Sequence, residues 1–254
     1  MWSMWGWGKD SKSLHRKNLL LEQTLSLVLR HIDHIVHIYK LTTFNKLTTL
    51  IKASRVAHLT DARYFAAKEV DYLGFNLEAG TEGYLDPMYM KAIREWVEGP
   101  KIVGEFSRTP IRVVSEAATF YGLDVVQVSA KNYGSDLAEL EGLEVILELE
   151  VGPAGLLFSK SELLVFASQV DVFLFNFSGV DVSKSTFYAE KDLWRDLFSI
   201  RPSLLQADIP AEDWPEILEA LGLAGLSIVG GEEEKVGVKS YDQIDDIFES
   251  LGRD

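Results

Sequence analysis

A chain of 254 residues with 47% hydrophobic and 25% charged side chains can bury a full-sized core, and its length suits one α/β barrel or two small domains. With 25 Lys and Arg against 39 Asp and Glu, the formal net charge is −14, which disfavours a nucleic-acid partner because a phosphate backbone would be repelled. The absence of cysteine excludes disulfides, thiolate metal sites and a thiol nucleophile, and it fits a reducing cytoplasm.

Residues 1–49 differ from the rest: 7 Lys and Arg against 3 Asp and Glu make this segment +4, which leaves −18 for the remainder. It opens with "MWSMWGWGK" and has no small-residue cleavage site, so no secretory signal is read. The apolar stretch "NLLLEQTLSLVLRHIDHIVHIY" is broken by Glu22, Arg30 and Asp33, short of the roughly 20 residues a bilayer span needs. A membrane partner is therefore not expected. Residues 19–39 read as a basic amphipathic helix. Within it His31, His34 and His37 recur every third residue, but Ile32, Ile35, Val36 and Ile38 make a plain apolar face and no carboxylate completes a ligand pattern. The domain reading is a non-barrel N-terminal extension over 1–49, helical or poorly ordered, followed by a barrel over 50–254.

From Leu50 onward, short apolar runs alternate with helical patterns. "LIKASRVA" is the first strand and "YLGFNLE" the second, and "DPMYMKAIREWVEG" is a helix. "KIVGEFS" leads to the helix "PIRVVSEAATFYGL", and "DVVQVSA" and "LEVILELE" follow as strands. "SKSELLVFASQ" is a helix before the strand "VDVFLFNF". "AEKDLWRDLFSI", "SLLQAD", "AEDWPEILEALG", "LAGLSIVGG" and "SYDQIDDIFESLG" complete the alternation. Eight βα repeats in this length predict a closed (βα)8 TIM barrel. No Gly-x-Gly-x-x-Gly follows the first strand, so a dinucleotide fold is disfavoured. "GVDVSKST" lacks P-loop spacing. Trp194 and Trp214 fall at apolar helix positions and read as packing, His58 as a surface residue, and the acids of "DLAELEGLE" as a solvated helix face.

Three stretches resemble phosphoribosylanthranilate isomerase, a (βα)8 enzyme of tryptophan biosynthesis. They are "LTDARYFAAKEVDYLGF", "YGLDVVQVSA" and "VGGEEEKVGVKSYDQIDDIFESL", in the family's order and spacing. The resemblance implies an intramolecular aldose–ketose isomerase without a cofactor. It places the family's general-base cysteine, in Lys-Ile-Cys-Gly, at Ser54 of "KASR", and the general-acid aspartate at Asn176. The substrate-positioning arginine falls on Gly83. A Gly-Gly pair after the seventh strand falls on Ala207 and Asp208, while Gly230-Gly231 keeps a second turn able to cradle an anion. A hydroxyl is a weak base and an amide cannot deliver a proton.

Strand parity gives an independent reading of the barrel mouth. If Val145, Leu147 and Leu149 face the helices, then Ile146, Glu148 and Glu150 face inward. The same alternation turns Lys52, Ser54, Glu105, Gln127, Ser129, Asn176, Gln206 and Asp208 toward the axis. Candidate catalytic residues are thus Ser54, Asn176, Lys52 and Glu148. Candidate ligand-binding residues are Gly83, Glu105, Gln127, Ser129, Asp208, Gly230 and Gly231, with a small molecule at the C-terminal mouth as partner. Three uses are open for this mouth: a rebuilt organic site with Lys52 as a cation or Schiff-base former, a divalent metal on Glu105, Glu148 and Asp208, or a mutually paired polar plug. At the level of function these become a barrel that has lost the isomerisation, an active isomerase with a rebuilt site, or a non-catalytic binding module.

Overall fold

An alternation of strands and helices closes most economically as a parallel barrel, in which every strand finds two partners and each outward face is covered by a helix. The computed structural model describes residues 49–134, 136–229, 233–235 and 238–253. The expected extension over 1–49, with its proposed helix and His31, His34 and His37, lies outside the described residues apart from Thr49.

Eight strands form the barrel. They are β1 Leu50–Ser54, β2 Tyr72–Asn76, β3 Lys101–Phe106, β4 Val125–Ser129, β5 Glu144–Gly152, β6 Val172–Asn176, β7 Ser203–Gln206 and β8 Gly225–Val229. Each pairs in parallel with its chain neighbours; β8 pairs with β1, so the ring closes. Strand β5 runs beyond the expected Glu150 and folds back onto Gly155–Leu156 in an antiparallel pair. The sequence reading did not foresee this hairpin.

Parity sorts the strand residues into two apolar clusters. Ile51, Leu73, Phe75, Ile102, Val126, Val128, Val145, Leu147, Leu149, Phe173, Phe175, Leu205, Leu226 and Ile228 point outward and pack beneath the helices in the large core. Tyr72, Val103, Val125, Ile146, Val172, Leu174 and Leu204 point inward as a separate cluster that fills the N-terminal half of the barrel. Alternate side chains of one strand thus serve two cores.

The N-terminal rim carries a repeated device. Asp71, Asp124 and Asp171 each stand one residue before an even-numbered strand, and each accepts a hydrogen bond from the opening of the preceding odd strand, at 2.8 Å from Ile51, 2.9 Å from Ile102 and 2.8 Å from Val145. The carboxylates satisfy N–H groups at the strand ends.

The covering helices are α1 Leu59–Ala67, α2 Pro87–Arg94, α3 Ile111–Tyr121, α4 Lys160–Ala167, α5 Lys184–Ala189, α6 Lys191–Phe198, α7 Trp214–Leu221 and α8 Asp242–Ser250. Asp86 caps α2 through the Met88 and Tyr89 amides, and Ser159 with Glu162 forms a capping box on α4. Between β4 and β5 the described residues form one short α-helical turn, Ala130–Tyr133, and a 3-10 helix, Leu137–Leu140. The acids of "DLAELEGLE" therefore flank a 3-10 turn whose Leu137 and Leu140 are buried, rather than lining an α-helix. Trp194 and Trp214 are buried, Trp194 against Phe177, Phe187 and Phe198. Among the described residues no helix is long and apolar enough to cross a membrane.

Candidate functional site

Above the apolar interior cluster the inward positions turn polar, and their side chains bond to one another around the axis. Lys52 on β1 is wholly buried; its ammonium contacts the Glu105 carboxylate on β3 and donates to the Ser54 hydroxyl at 2.5 Å. Ser54 lies 2.8 Å from the Ser227 hydroxyl on β8, which donates to Gln206 Oε1 on β7 at 3.0 Å. Gln206 Nε2 donates to Asn176 Oδ1 on β6 at 3.1 Å and to Ser178 at 2.9 Å. Asn176 Nδ2 donates to Glu148 Oε1 on β5 at 2.6 Å, and Gln127 Nε2 on β4 donates to Glu148 Oε2 at 2.9 Å.

Seven strands thus contribute a side chain to one network, and β2 contributes space. A Cβ built on Gly74 would lie 2.1 Å from Glu105 Oε1 and 2.6 Å from Lys52 Nζ, so glycine there is what lets the pair meet across β2. An ion pair so deeply buried persists only with its charges matched and hydrogen-bonded, a condition that the ring meets for Lys52. Lys52 sits against a carboxylate and donates to Ser54, so it cannot act as the base that would activate that hydroxyl.

The loops above the ring are tied to each other. Asn76 donates to Thr81 at 3.0 Å and to the Glu82 carbonyl at 2.8 Å, shaping the β2–α2 loop. Glu78 Oε2 accepts from the backbone N–H of Ser107 and Arg108 at 2.8 Å and Thr109 at 3.0 Å, and from the Thr109 hydroxyl at 3.2 Å. Burial alone would raise the Glu78 carboxyl, but these four donors outweigh it and hold the group below the ordinary Glu range. Tyr133 and Asn132 brace the same loop through the carbonyls of Thr109 and Ser107.

The structure joins Ser54, Asn176, Lys52, Glu148, Glu105 and Gln127 in the ring. Ser129, half-buried at the end of β4, is the register partner of Glu148. Gly83 lies in an exposed loop with φ +71°. Asp208 does not belong to the seventh strand, which ends at Gln206; it is exposed beyond it. The metal reading therefore fails on geometry: Glu105 is turned to Lys52, Glu148 is held by two amides, Asp208 stands apart, and among the described residues no three potential ligands cluster. Glu150, read as inward, is exposed and lies 3.9 Å from Lys131. Gly230 and Gly231 lie outside the described residues. Sequence reasoning missed the parts played by Gly74, Ser227 and Glu78. Gly74 had a signal, as an inward glycine between two bulky inward neighbours; the Glu78 contact had none.

Residues 51–250 match the family model described as N-(5'-phosphoribosyl)anthranilate (PRA) isomerase. A phosphoribosyl anthranilate isomerase structure from Thermus thermophilus is similar at 23% identity and TM-score 0.64, covering 80% of this chain and 98% of that one. The enzyme from Thermotoga maritima gives 17% identity, TM-score 0.64 and the same coverage, 80% and 98%. The barrel alone also resembles 3-keto-L-gulonate-6-phosphate decarboxylase from Vibrio cholerae, at 16% identity, TM-score 0.57, and coverage of 81% and 97%. Comparison with curated protein sequences found no match.

Proposed function

Because the chain belongs to the N-(5'-phosphoribosyl)anthranilate isomerase family, we propose that it is a divergent member which keeps the barrel and has given up the Amadori isomerisation. One observation carries this reading. The residues that the resemblance sets at the base and acid positions, Ser54 and Asn176, are both members of the hydrogen-bonded ring, and neither offers a group that exchanges a proton near neutral pH. Ser54 receives a proton donor from Lys52, and Asn176 spends its amide on Glu148. The polar ring thus acts as a plug that braces the barrel from within, and the mouth above it serves to bind a small molecule. A cysteine-free chain supports a reducing cytoplasm as its compartment.

The experiment is an assay of the purified full chain with phosphoribosylanthranilate. No turnover above the uncatalysed rate is expected; turnover within the usual enzymatic range of about 1–10³ per second would overturn the reading. Should turnover occur, Ser54→Ala decides whether Ser54 replaces the base.

A further inference from the structure

The donors and acceptors of the ring do not balance. Glu105 has the Lys52 ammonium beside it, but among the described residues Glu148, which is only half-buried, receives two neutral amides and nothing else, from Gln127 and Asn176. Its negative charge therefore has no cation of its own, since the ring's Lys52 is taken by Glu105. Beside it, Gln127 is 6% exposed and its Oε1 has no hydrogen-bond partner. Reversing the Gln127 amide does not help, because the oxygen would then face Glu148 Oε2, now 2.9 Å from Nε2. On the other side of Gln127, its register partner on β3 is Glu105, which adds another acceptor at the same level. The group lacks donors and positive charge together.

We propose that this wall of the mouth binds a small molecule bearing a primary ammonium group, seated on the Glu148 carboxylate with Gln127 beside it. An ammonium brings three N–H donors and one positive charge: the charge answers the half-buried Glu148 carboxylate directly, and a donor serves the orphan Gln127 carbonyl, closed to solvent without a ligand, once that amide turns toward the mouth. Ser129, paired in register with Glu148, adds a hydroxyl at the end of β4. A phosphorylated ligand would bring like charge against Glu148 and supply no donor. This specificity rests on the reading that the mouth no longer runs the isomerisation.

The test is calorimetric titration and thermal melting of the full chain with n-butylamine, n-butanol and butyrate, which share a tail and differ in the head group. Saturable heat and a rising melting temperature are expected for n-butylamine alone. Glu148→Gln should weaken it by about tenfold or more, whereas Glu150→Gln on the exposed lip should leave it unchanged. Absence of n-butylamine binding, or equal binding of n-butanol, overturns the proposal without need of any variant. Undiminished binding by a folded Glu148→Gln protein also overturns it. None of these results bears on turnover of phosphoribosylanthranilate, so the two readings fail separately.

Discussion

Lys52 and Glu105 stand on strands that are not neighbours, and they meet inside the barrel only because the strand between them carries Gly74 at that level. A methyl group on residue 74 would fall within 2.1 Å of the carboxylate and 2.6 Å of the ammonium. Gly74→Ala must then shift the flexible ends of both side chains and loosen or break a pair that is buried. Destabilisation of about 3 kcal/mol is expected in urea unfolding. A cost under about 0.5 kcal/mol would mean that the pair yields easily and does not set the packing of the ring.

The pair itself should behave asymmetrically. Lys52→Met alone leaves Glu105 buried without its cation and should cost about 3–5 kcal/mol, while Lys52→Met with Glu105→Leu should recover most of that. Unfolding midpoints of the two singles and the double form a thermodynamic cycle. Additive costs would show that the two side chains do not depend on each other.

Arg55 follows Ser54 with φ +55°, a left-handed conformation that a non-glycine side chain resists. It aligns with the glycine of the motif Lys-Ile-Cys-Gly that "KASR" resembles, the residue type suited to such a φ. Arg55→Gly should raise stability by about 1 kcal/mol in urea unfolding. A loss instead would reveal a contact of the exposed guanidinium that outweighs the strain.

Strand parity made the barrel legible, because the outward residues Val145, Leu147 and Leu149 and the inward Ile146 obey a period of two that tertiary packing cannot alter without turning the strand over. The residue types of the ring were legible for the same reason. Their partners were not: whether Lys52 reaches Glu105 or Glu148 depends on strand stagger and on the gap at Gly74, which belong to the closed sheet and not to any one segment. Asp208 shows the opposite limit. Alternation predicts an inward side chain only while the strand lasts, and β7 stops at Gln206.

Glu78 ties two mouth loops through three backbone amides and the Thr109 hydroxyl. Its carboxyl is held below the ordinary Glu value of 4.5, so the contribution to stability is complete above that value and is lost as pH falls through the lowered folded-state value. Glu78→Gln should therefore cost about 2 kcal/mol near neutral pH and much less in acid. Melting temperatures of the two proteins at several pH values check this; a constant gap would show that charge plays no part.

Asn176 tests whether the acid position can be restored in isolation. Its amide lies 2.6 Å from Glu148 Oε1, so Asn176→Asp sets oxygen against oxygen and converts a donor and acceptor into two like charges. One proton must then be shared, and the pair gives up that shared proton only above the usual carboxylate range in the folded state. The sign follows: a raised folded-state value means that stability is retained at low pH and lost as pH rises through it. The variant should be about 1–3 kcal/mol less stable than the parent at pH 8 and close to it near pH 3, below the ordinary Asp and Glu values. Because the ring also fixes Gln206 through Asn176 Oδ1, at 3.1 Å, the substitution alone should bring no isomerase turnover while Ser54 stays bound to Lys52. Equal destabilisation at both pH values would show that Glu148 is not the partner that matters. Turnover from the single substitution would show that the ring opens to substrate and that only the acid was missing.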